Sequence, residues 1–351
     1  MHRHRPGPPM AARAPRPGPP AGCPWPCRQD GVALLTALLV LAIASAAAVG
    51  MVWRQQFDIR RTENLMHAAQ AWEHALGGEF WARGLLQEDA SDDGSRMVDE
   101  LQEDWAQPLP PTPIEGGVVA GRIFDLQARF NLNGLAPPAA GDDREQQQDP
   151  VAALRLEAFR RLLALLELDP AAADAVVDWI DADGDARFPG GAEDAEYLAM
   201  DPPYRAANRP FAETGELRLV RGIDDKAFDL LAPLVSALPD AAATINVNTA
   251  PALVLRCIDG AIDEAVAEEL VRRREEKPFA NRDEFRQTVR EILGSDQVLP
   301  ADLDPLFDVK SEYFMVDSRV QYGRARLRLL SFLHRPGKDY PVTYMRRREL
   351  F

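Results

Sequence analysis

From Gly31 to Trp53 the chain runs for 23 residues without a charge or a proline, as GVALLTALLVLAIASAAAVGMVW, and Arg54 closes the run. At about 1.5 Å per residue, a helix of this length crosses the ~30 Å hydrocarbon core of a bilayer. No helix stop separates it from the amphipathic pattern that follows as far as Glu88. A membrane helix that continues as a stalk cannot belong to a simple globule. It suits a chain that assembles laterally with copies or relatives of itself.

The leader before this run is rich in Pro and Gly, reads as disordered, and contains Met10 as an alternative start. Its first 31 residues hold five Arg and one Asp, a net +4, so the remainder carries −19 of the chain's overall −15. The Arg excess places the leader in the cytoplasm and the body across the membrane. Three fates are open to the segment. As a secretory signal, Arg28 would precede a Leu34 to Ile43 core, with cleavage after Ala44-Ser45-Ala46. It could instead remain as an uncleaved anchor. The third fate is cleavage after Gly31 by a prepilin peptidase, which leaves Val32 as the new N-terminus. A Gly, then a hydrophobic residue, then an unbroken apolar helix resembles the pilin class. Most of that class carry Glu at the fifth mature position, where it neutralises a neighbour's N-terminal amine inside the bilayer. Here that position is Thr36, which suits a subunit with nothing above it.

Leu65, Ala69, Trp72, Leu76 and Phe80 recur at spacings of four, three, four and four, which predicts a single buried face on the stalk. Gly77-Gly78 weakens the middle of that helix, and Pro108 to Pro113 break it. Val118 to Leu132 read as two short strands, and Leu135 to Pro150 as a polar loop. Ala152 to Leu306 are almost all helical, with Asp169-Pro170 as a helix start. Strand alternation returns in Val309 to Leu333, with a turn or bulge near Gly323. The segment from Arg335 to Phe351 reads as a loose polar tail. Strands therefore bracket a helical block. The economical model is an α+β protein: a leader (1–31), a membrane helix (32–53), stalk and first strands (54–134), an inserted all-α domain (135–308), closing strands (309–335) and a tail (336–351).

Within the insertion, DWIDADGDARFPGGAEDAEY spans Asp178 to Tyr197. Asp181, Asp183, Asp185, Glu193, Asp194 and Glu196 crowd this one segment. Calcium takes six to eight oxygens, often from carboxylates on a flexible loop. The start resembles an EF-hand, but the twelfth loop position is Ala192 and Glu193 comes one residue late, so the expectation is a calcium site of another kind. No His or Cys lies there, which argues against a zinc site. Ile245 to Phe285 look like a helix-hairpin-helix. Helices open at Asn248-Thr249-Ala250-Pro251 and run to about Glu276, on either side of the turn Ile258-Asp259-Gly260-Ala261. In that fold the turn amides hold DNA phosphates, but here Asp259, Asp263 and Glu264 surround the turn, and the acidic body repels nucleic acid. The module is expected to serve packing or protein contact. After the leader the only His are His67, His74 and His334, and the one Cys is Cys257. No nucleophile–base arrangement and no phosphate loop is present, so no enzyme is expected.

These pieces together resemble type II secretion system protein K, the large minor pseudopilin. The resemblance covers nearly the whole chain after Gln29 and rests on GVALLTALLVLAIA, FDLQARFNLN, DWIDADGDARFPGGAEDAEYL with PPYRAANRPF, and INVNTAP. It implies a pseudopilin fold with a calcium-binding helical insertion, a SAM-like helical module, and prepilin peptidase cleavage with N-methylation at Val32. It also implies inner-membrane anchorage with a periplasmic body. The expected partners are other minor pseudopilins and the major pseudopilin, with a role at the tip of the pseudopilus in starting assembly and exporting folded proteins. Two departures are the long leader and Asp30 before Gly31. The rival reading is an exported binding module of the DNA-uptake type.

Overall fold

A computed structural model describes residues 30–91, 98–136, 150–294 and 299–350. Residues 1–29 of the leader, and residues 137–149 of the predicted polar loop, lie outside this set. The chain divides into two compact units, residues 1–62 and 63–351. Helix α1 (Asp30–Ser91) begins in the first unit, where its apolar side chains from Val32 to Trp53 are exposed. It is the one described helix long and apolar enough to cross a membrane.

In the second unit, five strands form an antiparallel sheet. They are β1 (Leu109–Ile114), β2 (Gly117–Asp125), β7 (Tyr313–Tyr322), β8 (Ala325–His334) and β9 (Val342–Leu350), in that spatial order. The register runs from Gly117 opposite Tyr322 to Asp125 opposite Phe314, and from Tyr313 opposite His334 to Tyr322 opposite Ala325. Gly323, at φ +52°, opens the tight turn between β7 and β8, as the sequence predicts. Two expectations are corrected. The prolines of 109–114 break no helix, because α1 has already ended at Ser91; they lie in an edge strand, where a missing N–H is tolerated. The tail is not loose, because β9 closes the other side of the sheet through its ladder to β8.

The predicted stalk face is also corrected. Ala71, Ala75, Glu79, Ala82 and Leu86 are the buried stripe, one position round from the predicted one, and Leu65 and Phe80 are exposed. Small residues let the helix axis approach the sheet closely. At Gly78 an added Cβ would lie 2.9 Å from the Ser318 Oγ. The stripe packs on Phe314, Val316 and Leu333 at one end and on Val320, Leu327 and Leu329 at the other. Between these clusters sits buried Glu79. It accepts hydrogen bonds from Ser331 Oγ and Thr343 Oγ1, each at 2.6 Å, and from both ends of the Arg346 guanidinium at 2.7 Å. Burial raises its pKa, but these donors outweigh it and hold the carboxyl below the usual range.

The helical part has its own core. It comprises α2 (Pro150–Leu165), α3 (Ala172–Ile180), α4 (Asp194–Leu198), α5 (Asp225–Leu231), α6 (Ala252–Ile258), α7 (Glu264–Glu276) and α8 (Arg282–Leu293). The predicted start at Asp169-Pro170 is corrected: α3 begins three residues after Asp169, with Ala171 at the N-cap, and Asp169 accepts from the Ala171 N–H in the turn before it. Two parallel strand pairs tie its segments together: β3 (Phe130–Asn131) with β4 (Val235–Ser236), and β5 (Ile245–Asn246) with β6 (Phe307–Asp308). A buried polar knot fastens it to the sheet. Asp125, at the end of β2, accepts from Thr249 Oγ1 at 2.5 Å, Ser311 Oγ at 2.7 Å and Asn246 Nδ2 at 3.2 Å. The same Asn246 amide also reaches the Asp99 carbonyl and Ser311 Oγ.

Candidate metal site in the acidic loop

The loop begins where α3 ends. Asp178 stands in the last turn of α3 and is fully buried. Its Oδ2 accepts from the N–H groups of Arg187 (3.0 Å) and Ala192 (2.9 Å), so one carboxylate folds the loop back onto the helix. The loop's glycines allow this return. A Cβ on Gly191 would lie 2.2 Å from Asp178 Oδ2, and one on Gly190 would lie 2.0 Å from the Ala171 carbonyl. Glu193 then N-caps α4 in a reciprocal capping box with Glu196.

This return brings one carboxylate oxygen from each of Asp181, Asp183 and Glu193 within 4.8 Å of one another. Asp178 Oδ1, Asp181 Oδ1 and Glu193 Oε1 are buried without a hydrogen-bond partner. The only cation in reach on the loop itself, Arg187, has Nε 3.5 Å from Asp178 and 3.7 Å from Asp181, too far for a hydrogen bond. Burial, then the neighbouring carboxylates, push Glu193 up to about 8. Asp181 rises to about 7 by burial and then repulsion from Asp183 and Asp178. Burial carries Asp178 to about 6, against its two backbone hydrogen bonds. Crowded acids with orphaned oxygens and no His or Cys are the donor set of a hard cation, so the residues fit calcium.

The other acidic residues predicted for the site do different work. Asp185 is exposed and outside the cluster, and its N–H donates to Asp183 Oδ1. Asp194 holds the Ala206 N–H and pairs with Arg205 at 3.3 Å. Glu196 accepts from the Glu193 N–H in the capping box. Asp178 was the residue missed. Its place on the buried face of α3, one turn before Asp181, was the available signal.

A second acidic group, Asp89, Asp99 and Glu103, already faces a cation. Arg335 bridges Asp89 at 2.8 Å and also pairs with Asp99. In the helical hairpin the observed α7 ends at the predicted Glu276. Asn248 and Thr249 do not cap α6, which starts after Pro251 without a side-chain cap. Asn248 instead brackets the Phe279 backbone through both N–H and C=O. Asp259 accepts from the Ala261 N–H, and Asp263 from that of Val266. Arg274 is buried against the carbonyls of Val247 and Ala250. In the first unit, Thr36 Oγ1 donates to its own helix, to the Ala33 carbonyl at 3.0 Å.

A long N-terminal helix laid on an antiparallel sheet, with a second, helical core inserted between strands, defines a pilin-like subunit of the large minor class. Models of type II secretion system protein K match residues 128–240 and 245–309. Over 327 residues the chain is 39% identical to the type II secretion system protein K of Pseudomonas aeruginosa, covering 91% of this chain and 92% of that one. Over 329 residues it is 36% identical to that of Aeromonas hydrophila, covering 91% and 97%. The chain belongs to the type II secretion system protein K family. Its fold is shared with a chain in the crystal structure of the GspK-GspI-GspJ complex from enterotoxigenic Escherichia coli, with TM-score 0.67 and 24% identity, covering 82% of this chain and 99% of that one.

Proposed function

We propose that this chain is the tip subunit of a type II secretion pseudopilus, working by assembly and without catalysis. The observation that carries the reading is the separately cored helical part mounted on a pilin-like sheet, whose bulk would oppose the stacking of a further subunit on this one. Val32 to Trp53 hold the subunit in the inner membrane until it is extracted into the filament, with its body in the periplasm. Cleavage after Gly31 and methylation of Val32 would leave Thr36 at the fifth position. Its hydroxyl, satisfied within its own helix, offers no charge to pair with an amine above it.

The chain that shares this fold was crystallised in a complex with GspI and GspJ, which supports two other minor pseudopilins as partners of this one; the major pseudopilin would lie below. Calcium, held by Asp181, Asp183 and Glu193 with Asp178 behind them, would neutralise the loop and stiffen the insertion. A phosphate-binding role for the hairpin is disfavoured, because the Ala261 turn amide and Arg274 are already satisfied by the chain's own groups. The test is N-terminal mapping together with secretion in a strain lacking this chain. A methylated start at Val32 and restored export are expected. A start at Ala47, or export unchanged by the deletion, would refute the reading.

A further inference from the structure

One face of the sheet is covered by α1. On the other face Met315, Phe332 and Met345 are register neighbours on β7, β8 and β9, with Leu330 beside them. Opposite them stand Phe228 and Ala232 at the end of α5 and residues 235–238 of β4 and its continuation. Between the two layers lies a cavity of about 280 Å³, partly open to solvent.

Two polar groups on its wall have no side-chain partner among the described residues. Arg129, between β2 and β3, makes no hydrogen bond or ion pair among the described residues. Ser236 is 2% exposed, and its Oγ has no hydrogen-bond partner. The other arginines at the cavity are already neutralised. Arg328 pairs with Asp317 and Glu349, and Arg347 with Glu213 and Glu349. A buried hydroxyl left without a partner is costly in the free protein, and a guanidinium that meets only solvent at the cleft is free to take an acceptor. Burial accordingly lowers the Arg129 pKa, against the pull of Asp125.

We propose that this cleft binds an extended peptide segment of a partner protein, in which a carboxylate stands beside an apolar side chain. The carboxylate accepts from Arg129, and from Ser236 where it reaches the hydroxyl, while the apolar side chain lies on Met315, Phe332 and Met345. Methionine floors adapt to different side chains, which suits a site that must accept related sequences. The rim is charged on both sides, through Glu213, Arg328 and Arg347, and the cleft is open. A peptide backbone is at home there, whereas an alkyl chain needs apolar cover all round. The inference is independent of calcium and of the chain's position in a filament.

The test uses the full chain in nanodiscs and fluorescence anisotropy. The probes are acetylated pentapeptides presenting Asp or Glu beside Leu, Phe, Met or Val, each with its Asn or Gln counterpart, and decanoate as a lipid-like probe. At least one acidic peptide should bind tenfold or more tightly than its amide, since an ionised acceptor roughly doubles the strength of such bonds. Arg129→Met should remove that preference, and Ser236→Ala should weaken binding a few-fold. Because Arg129 has no partner to lose, Arg129→Met should leave the melting temperature unchanged or raised. Equal binding of every acid–amide pair, or no binding by any peptide, would overturn the proposal. So would binding of decanoate without binding of any peptide, or a steep fall in melting temperature for Arg129→Met.

Discussion

Replacing Asp181 by Asn should act in opposite directions with and without calcium. In the metal-free chain, burial and two neighbouring carboxylates raise the Asp181 carboxyl from 3.8 to about 7. The folded state then holds a proton that the unfolded state releases. Stability of the metal-free protein therefore falls as pH rises from about 4 through 7. Three pH units correspond to on the order of 4 kcal/mol, and Asn removes up to that amount of repulsion at pH 8 without changing the side chain's shape. At about 2–4 °C per kcal/mol for a unit of this size, the variant should melt several degrees higher in chelator. Calcium reverses the order. At a free concentration of about one hundred times Kd it adds roughly 2.7 kcal/mol to the wild type, and much less to a variant that has lost a ligand. Calorimetry of the full chain in detergent at pH 6 and pH 8, in chelator and in calcium, reads all four conditions. An equal loss of stability in chelator and in calcium would refute the reasoning, since Asp181 would then be a structural acceptor.

Other parts of the structure give equally definite expectations. Glu79→Ala should cost about 3 kcal/mol at pH 7 in urea unfolding, because it leaves Arg346, Ser331 and Thr343 without their acceptor. The Glu79 carboxyl lies below its unfolded value, so this contribution is complete above about pH 4.5 and fades as pH falls through the folded value. Wild type and variant should converge in acid. Asn246→Ala should cost about 2–3 kcal/mol and speed hydrogen exchange around Asp125 and Thr249, whose knot it unties. Gly191→Ala should weaken calcium-dependent stabilisation by displacing the loop from Asp178, read as a smaller calcium-induced rise in melting temperature.

The sequence disclosed most where its pattern is periodic. Strands β7 and β8 show in the alternation of Tyr313 to Arg328, and the membrane helix shows in its lack of charge. It was silent where polar residues are buried by pairing. VTYMRRREL resembles a tail, yet it is a paired strand whose partly exposed Arg346 reaches buried Glu79 and whose Arg348 lies over Trp72, so a charged run need not be a loose one. The stalk face was misread for a related reason. Hydropathy singles out the largest residues, whereas close approach of helix to sheet selects Ala71, Ala75 and Gly78. In LPPTPI the prolines forbid a central strand but allow an edge. At the acidic loop the cluster was legible as composition. Its geometry was not, because it depends on Asp178 gathering two distant N–H groups and on glycines where backbone meets carboxylate.

The central claim is a place at the filament end, and the most direct measurement is to see it there. A small tag at the exposed turn residues 338–340 of this chain would be gold-labelled on pseudopili assembled with the wild-type subunits and imaged by electron microscopy. The account predicts gold at one end of each filament. Gold distributed along the shaft would contradict it.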